Sequence, residues 1–183
     1  MKAKRLGVLS VALMAGSSIA SADTIYNFDF EATGLSAIGT LDVNAGQAVS
    51  GTGSISATTL TPSPESLTLV TLATTGVHDL GGGNLSYRFG GGTDLIGDTV
   101  FNATAPYVST NGLVFMVGGP NNNGFNLGYQ NGAIYYSYLV GNTLYQGNTG
   151  TLTVTPVPLP AAAWLLVSGL GGLGTLVRKR KAA

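Results

Sequence analysis

Few side chains in this sequence are equipped for chemistry, and their spacing narrows the choices further. His78 is the sole histidine of the chain and precedes Asp79. A Ser-His-Asp hydrolase needs a serine held against that imidazole, and the Gly-x-Ser-x-Gly elbow that supplies one in α/β-hydrolases does not occur. His78, just before the glycine run 81–83, therefore reads as an exposed loop residue. Asp79, Asp94 and Asp98, with Asn121, Asn122 and Asn123, offer the hard oxygen ligands that calcium favours. Their spacing fits neither an EF-hand loop nor a nine-residue calcium repeat, so they read as solvated loop groups. Glycoside hydrolysis needs two carboxyl groups at a set separation, and Asp29, Glu31 and Glu65 contain no pair that the sequence places at that separation. Tyr129, Tyr135, Tyr136, Tyr138 and Tyr145 crowd one short region, where such rings either stack on sugars or pack across strands. Cysteine is absent, which removes disulfides, thiol catalysis and cysteine-zinc sites. The expectation is a chain with no catalytic residue, no metal and no cofactor.

The elements that would carry these residues are strands. Tyr26, Phe28 and Phe30 alternate with Asn27, Asp29 and Glu31, a period of two that places rings on one face and polar groups on the other. Similar runs follow at 37–43, 48–58, 67–74, 85–89, 112–117, 124–129, 134–140 and 151–155, and none shows a helical period. Between them stand turn-formers: Thr61-Pro62-Ser63-Pro64, the glycine runs 81–83 and 90–92, and residues 119–124. Asn131-Gly132 tolerates the positive φ of a tight hairpin and joins Phe125-x-Leu127-x-Tyr129 to Ile134-x-Tyr136-x-Tyr138; Gly141-Asn142 repeats the device one strand later. Strands spaced this way without helical crossovers predict an all-β domain over 23–155, an antiparallel β-sandwich or open barrel. No repeat of fixed length is visible, which disfavours a solenoid or propeller.

The charges are sorted by position. The chain has 8 basic and 8 acidic residues, but between Asp23 and Val157 the only cation among Lys and Arg is Arg88, while all eight acids lie there, a net charge of 1 − 8 = −7. A nucleic-acid partner is excluded on that ground, since phosphate binding needs clustered Lys and Arg. The remaining cations mark the two ends. Lys2, Lys4 and Arg5 precede an apolar run, and Ala20-Ser21-Ala22 places small residues before Asp23, so residues 1–22 read as a signal helix removed by signal peptidase after Sec export, with Ala20, Ala22 and Asp23 framing the cut. At the other end residues 161–177 carry no charge and as a helix span about 25 Å, near the lower limit for a bilayer core. Pro160 suits a first helical turn. Arg178, Lys179, Arg180 and Lys181 are costly to translocate and act as a membrane stop, leaving the middle of the chain outside.

The tail 156–183, from Val157-Pro158-Leu159-Pro160-Ala161-Ala162-Ala163-Trp164 to Arg178-Lys179-Arg180-Lys181, resembles the PEP-CTERM sorting signal of Gram-negative bacteria that make exopolysaccharide. The resemblance covers about the last 27 residues, with Pro-x-Pro motif, transmembrane helix and basic end in order. Leu159 stands where the family usually carries glutamate, a Val-Pro-Leu-Pro-Ala-Ala variant. The resemblance implies an exosortase as partner, acting near Val157, Pro158, Leu159 and Pro160, with the chain held in the inner membrane before processing and on the cell surface or in the extracellular matrix afterwards. Physically, two prolines keep the motif extended for a protease cleft while the helix and basic end halt export. A permanent single-span anchor has the same physics. The expected function is that of a non-enzymatic surface or matrix protein, structural or adhesive in exopolysaccharide or biofilm. The alternative is a secreted carbohydrate-binding module or polysaccharide-active enzyme.

Overall fold

The computed structural model describes residues 23–58, 61–89, 92–119 and 123–158. The expected signal helix, the transmembrane helix, the basic end, Leu159 and Pro160 lie outside the described residues. Every regular element described is a strand: β1 (Thr24–Ala32), β2 (Leu35–Asn44), β3 (Gln47–Ala57), β4 (Thr61–Leu69), β5 (Val77–Gly81), β6 (Asn84–Arg88), β7 (Asp94–Asp98), β8 (Leu113–Val117), β9 (Asn123–Gln130), β10 (Ala133–Val140) and β11 (Thr143–Pro156).

The sheet runs β4-β3-β2-β1-β11-β10-β9-β8 and then closes, because β4 also pairs antiparallel with β8 through Leu67↔Val117, Thr68↔Met116 and Leu69↔Phe115. The architecture is thus an eight-stranded antiparallel barrel, neither the sandwich nor the open barrel that strand spacing suggested. Alternation holds on β1: Phe28 and Phe30 are buried, while Asn27, Asp29 and Glu31 face out. The interior is a chain of rings, with Phe28 to Phe115, Phe30 to Phe125 and Phe115 to Phe125 at centroid distances of 5.7, 5.8 and 6.1 Å. Glycines leave room for them: a Cβ on Gly39 would meet the Phe28 ring at 2.7 Å, and one on Gly150 the Phe30 ring at 2.1 Å.

β8 departs from the alternating rule. Its edge is shared, with residues 115–117 on β4 and Leu113 on β7, the one parallel pair in the sheet. From that fork β5, β6 and β7 form a meander that folds back as a flap over the outer wall. Leu85, Tyr87, Phe89 and Leu95 of the flap bury against Val70, Val114 and Leu139 in a second core. Both faces of β8 are therefore covered, which accounts for its unbroken run Leu113-Val114-Phe115-Met116-Val117.

Several sequence expectations require correction. Thr61-Pro62-Ser63-Pro64 is the start of β4, not a turn; only β3 pairs with this stretch, across an irregular register, so proline's missing amide is tolerated. The run at 67–74 leaves the sheet at Leu69. β5 and β7 went unanticipated, and β11 is far longer than the 151–155 expected. The Asn131-Gly132 hairpin is as expected, with φ of 54° and 85° and Ala133 opposite Gln130.

Candidate functional site

Two regions of the barrel can serve a function: the rim at which the first and last described residues lie, and a groove on the outer wall. The rim follows from strand direction. With antiparallel neighbours all round the barrel, the starts of β1, β3, β8 and β10 share one rim with the ends of β2, β4, β9 and β11. Loop 99–112 crosses this rim. It is tied to β3 by Ala48 N donating to Thr99 O at 2.7 Å, and to β9 by Tyr129 N donating to Ser109 O at 2.8 Å. It drops Phe101 and Val108 into the core, with Phe101 4.9 Å from the Tyr26 ring. The mouth is thereby plugged.

Asp23, Val157 and Pro158, the described residues of the two segments that the sequence reading expects to be processed, meet at the plugged rim. Asp23 accepts a hydrogen bond from Asn44 Nδ2 at 2.6 Å. Pro156 lies opposite Tyr26, and the Val157 amide donates to Ile25 O at 2.8 Å. The first residue of the Val-Pro-Leu-Pro motif is thus the last rung of the β1–β11 ladder, with Pro158 exposed just beyond it. β11 ends at Pro156, and the Val157 amide adds one further hydrogen bond to the barrel wall. Ala20 and Ala22 lie outside the described residues, as do Leu159, Pro160, Arg178, Lys179, Arg180 and Lys181.

The groove lies between β7 of the flap and the outer faces of β9, β10 and β11, with a volume of about 680 Å³. Its floor is a polar row across three strands, Asn126 opposite Ser137 and Ser137 opposite Gln146. Gln146 Nε2 donates to Ser137 Oγ at 3.1 Å. Asn126 Nδ2 clasps the flap to the wall by donating to Ile96 O at 2.7 Å and Asn111 O at 3.0 Å. Exposed Leu144 and Ile96 border the row, and Tyr135 lies on its other side over Gly128, where a Cβ would sit 2.5 Å from the ring. The Tyr135 hydroxyl donates to Thr110 O at 2.9 Å, and burial, then the charge of Asp98, pushes the phenol above its ordinary value. At the groove's end Arg88 Nε donates to Asp94 Oδ1 at 2.9 Å; that bond holds the Asp94 carboxyl below its usual range.

The other chemically equipped residues are dispersed. His78 is exposed on edge strand β5, not in a loop. Asp79 accepts from Gly81 N at 2.8 Å. Asp98, expected as a solvated loop carboxylate, is buried at the end of β7 and accepts from Val100 N at 2.9 Å and Ser109 Oγ at 2.6 Å, which fixes the plug loop. Among the described residues no group of three or more acidic or histidine side chains converges as a metal site. Asp29 lines a shallow groove of about 760 Å³ on the outer face of β11-β1-β2-β3, which Glu31 and Glu65 do not join. The tyrosines form no exposed row. Tyr138 is fully buried, Tyr129 and Tyr136 pack against the barrel core, Tyr135 lines the outer groove, and Tyr145 is exposed.

Gln146, Ser137 and Asn126 carried no motif, yet their alignment is implicit in the two hairpins: Asn131-Gly132 sets 126 against 137, and Gly141-Asn142 sets 137 against 146. Scans against family models, curated proteins and solved structures matched nothing.

Proposed function

We propose that this chain is an exported surface or extracellular-matrix protein, held in the inner membrane by its tail until an exosortase-type enzyme releases it, with the barrel acting as a non-enzymatic structural or adhesive unit in exopolysaccharide. The observation that carries this reading is the meeting of Asp23 and Val157-Pro158 at one rim. A domain addressed at both ends is best displayed when both ends leave the same side, because the opposite rim and the walls stay free. Arg88 is the only Lys or Arg side chain among residues 23–157, so the wall offers no patch for nucleic acid. The signal peptide, the sorting tail and the surface location rest on the sequence pattern and its family resemblance.

A pulse-chase blot of the chain carrying a C-terminal epitope tests the reading. In an exosortase-positive host the epitope is lost while the barrel persists on the cell surface or in the matrix; a mature form that keeps it defeats the processing claim and leaves a single-span anchor. Deletion of the gene is expected to reduce cell aggregation or biofilm without loss of polysaccharide hydrolysis. The groove supports carbohydrate binding as a second reading, since its polar row is flanked by apolar side chains.

A further inference from the structure

The outer groove combines features that a sugar requires and an ion or apolar ligand does not. A pyranose has hydroxyl edges and C–H faces, so its site needs hydrogen-bonding groups that both donate and accept, bordered by apolar or aromatic surface. In the row Asn126–Ser137–Gln146 the first two side chains are buried, 3% and 6% exposed, and form the floor, so Gln146 is the member that meets a ligand, with spare donor and acceptor capacity on its amide. Gln146 is exposed, and its amide nitrogen bonds to Ser137, which orients the side chain. Leu144 and Ile96, 42% and 54% exposed, supply apolar surface on one flank, and the Tyr135 ring, locked by its hydroxyl bonds and by Gly128 beneath, supplies it on the other.

Charge narrows the class. The groove's acid is Asp94, already bonded to Arg88, and the surrounding domain carries −7. An anionic polymer would meet repulsion with no unengaged Lys or Arg to offset it, whereas a neutral polymer would not. The groove on β11-β1-β2-β3 is a poorer candidate, because threonine, serine and glycine dominate its lining and its one ring, Phe28, is 3% exposed. We propose that the β7–β11 groove binds a neutral saccharide chain. The inference names the ligand class of the adhesive unit described above, but binding in solution depends neither on export nor on tail processing, so either idea can fail alone.

The test is titration of the purified full-length chain, in detergent, with neutral hexamers of glucose, mannose, galactose and xylose and with anionic hexaguluronate, followed by calorimetry and saturation-transfer NMR. The expected result is saturable binding of at least one neutral hexamer, none of hexaguluronate, and weakening by about tenfold or more, roughly 1.4 kcal/mol, in both Gln146→Ala and Leu144→Ser. Both positions are exposed, and unchanged thermal melting verifies their folding. The proposal is overturned if no neutral hexamer binds, if hexaguluronate binds and Gln146→Ala weakens that binding as well, if both variants bind like the parent, or if only Thr40→Val and Thr52→Val in the other groove weaken binding.

Discussion

A missing side chain decides whether the flap can close on the barrel. A Cβ on Gly124 would stand 2.7 Å from both the Phe89 ring and Leu95 Cδ1, which are packed in the second core. Gly124→Ala should therefore destabilise the fold by about 1–3 kcal/mol, the usual cost of overpacking, seen as a lower melting temperature by circular dichroism. At the β2–β3 turn the strain has the opposite remedy. Ala45 has φ of 48° and precedes Gly46 at 78°, the pair of positive angles that asparagine-glycine fills best. Ala45→Asn should stabilise by up to about 1 kcal/mol; an unchanged or lower melting temperature would refute the strain. Tyr135 links a single residue to pH. Its raised phenol pKa means the folded chain favours the neutral form, so its contribution is intact below about pH 10, the ordinary tyrosine value, and is lost as pH climbs through the higher folded value. The alkaline fall in melting temperature should be shallower in Tyr135→Phe than in the parent.

At the scale of elements, hairpins were legible and crossings were not. Asn131-Gly132 and Gly141-Asn142 specify β9–β10 and β10–β11 locally, and the alternation on β1 announces its inward face. β5 and β7 escaped because each is five residues long and Gly81 and Gly97 dilute their pattern. Gly97 is needed where it is: a Cβ there would lie 2.5 Å from Val114 Cγ2. The apolar run of β8 was the available sign of a strand buried on both faces, though it cannot say what covers the second face. The β1–β11 ladder makes a prediction of its own. Since Val157 is hydrogen-bonded to Ile25, an enzyme acting at the motif must work against the barrel rim. A flexible insertion of about ten Gly and Ser residues between Val157 and Pro158 should speed tail removal several-fold in the pulse-chase assay. Equal rates would show that the rim does not hinder the enzyme, and absence of removal in both chains would instead count against processing itself.

At the scale of the whole molecule, the closed barrel explains how a chain without cysteine builds a stable unit: closure removes the edges of its eight strands, and the flap covers β8 where the wall forks. It also sorts the molecule into a plugged rim that carries Asp23 and Val157 and a wall that carries the groove. The sequence by itself determined the all-β class, the inward and outward faces of β1, the two tight hairpins and the charge of −7. These follow from periodicity, turn chemistry and composition, which are local or additive. Only the tertiary structure decided that β4 meets β8, that loop 99–112 plugs the mouth, that Asp98 is buried, and that Ile96 and Leu144 border one groove. Each of those joins residues tens of positions apart, and a period of two tells which way a side chain points without telling which strand lies beside it.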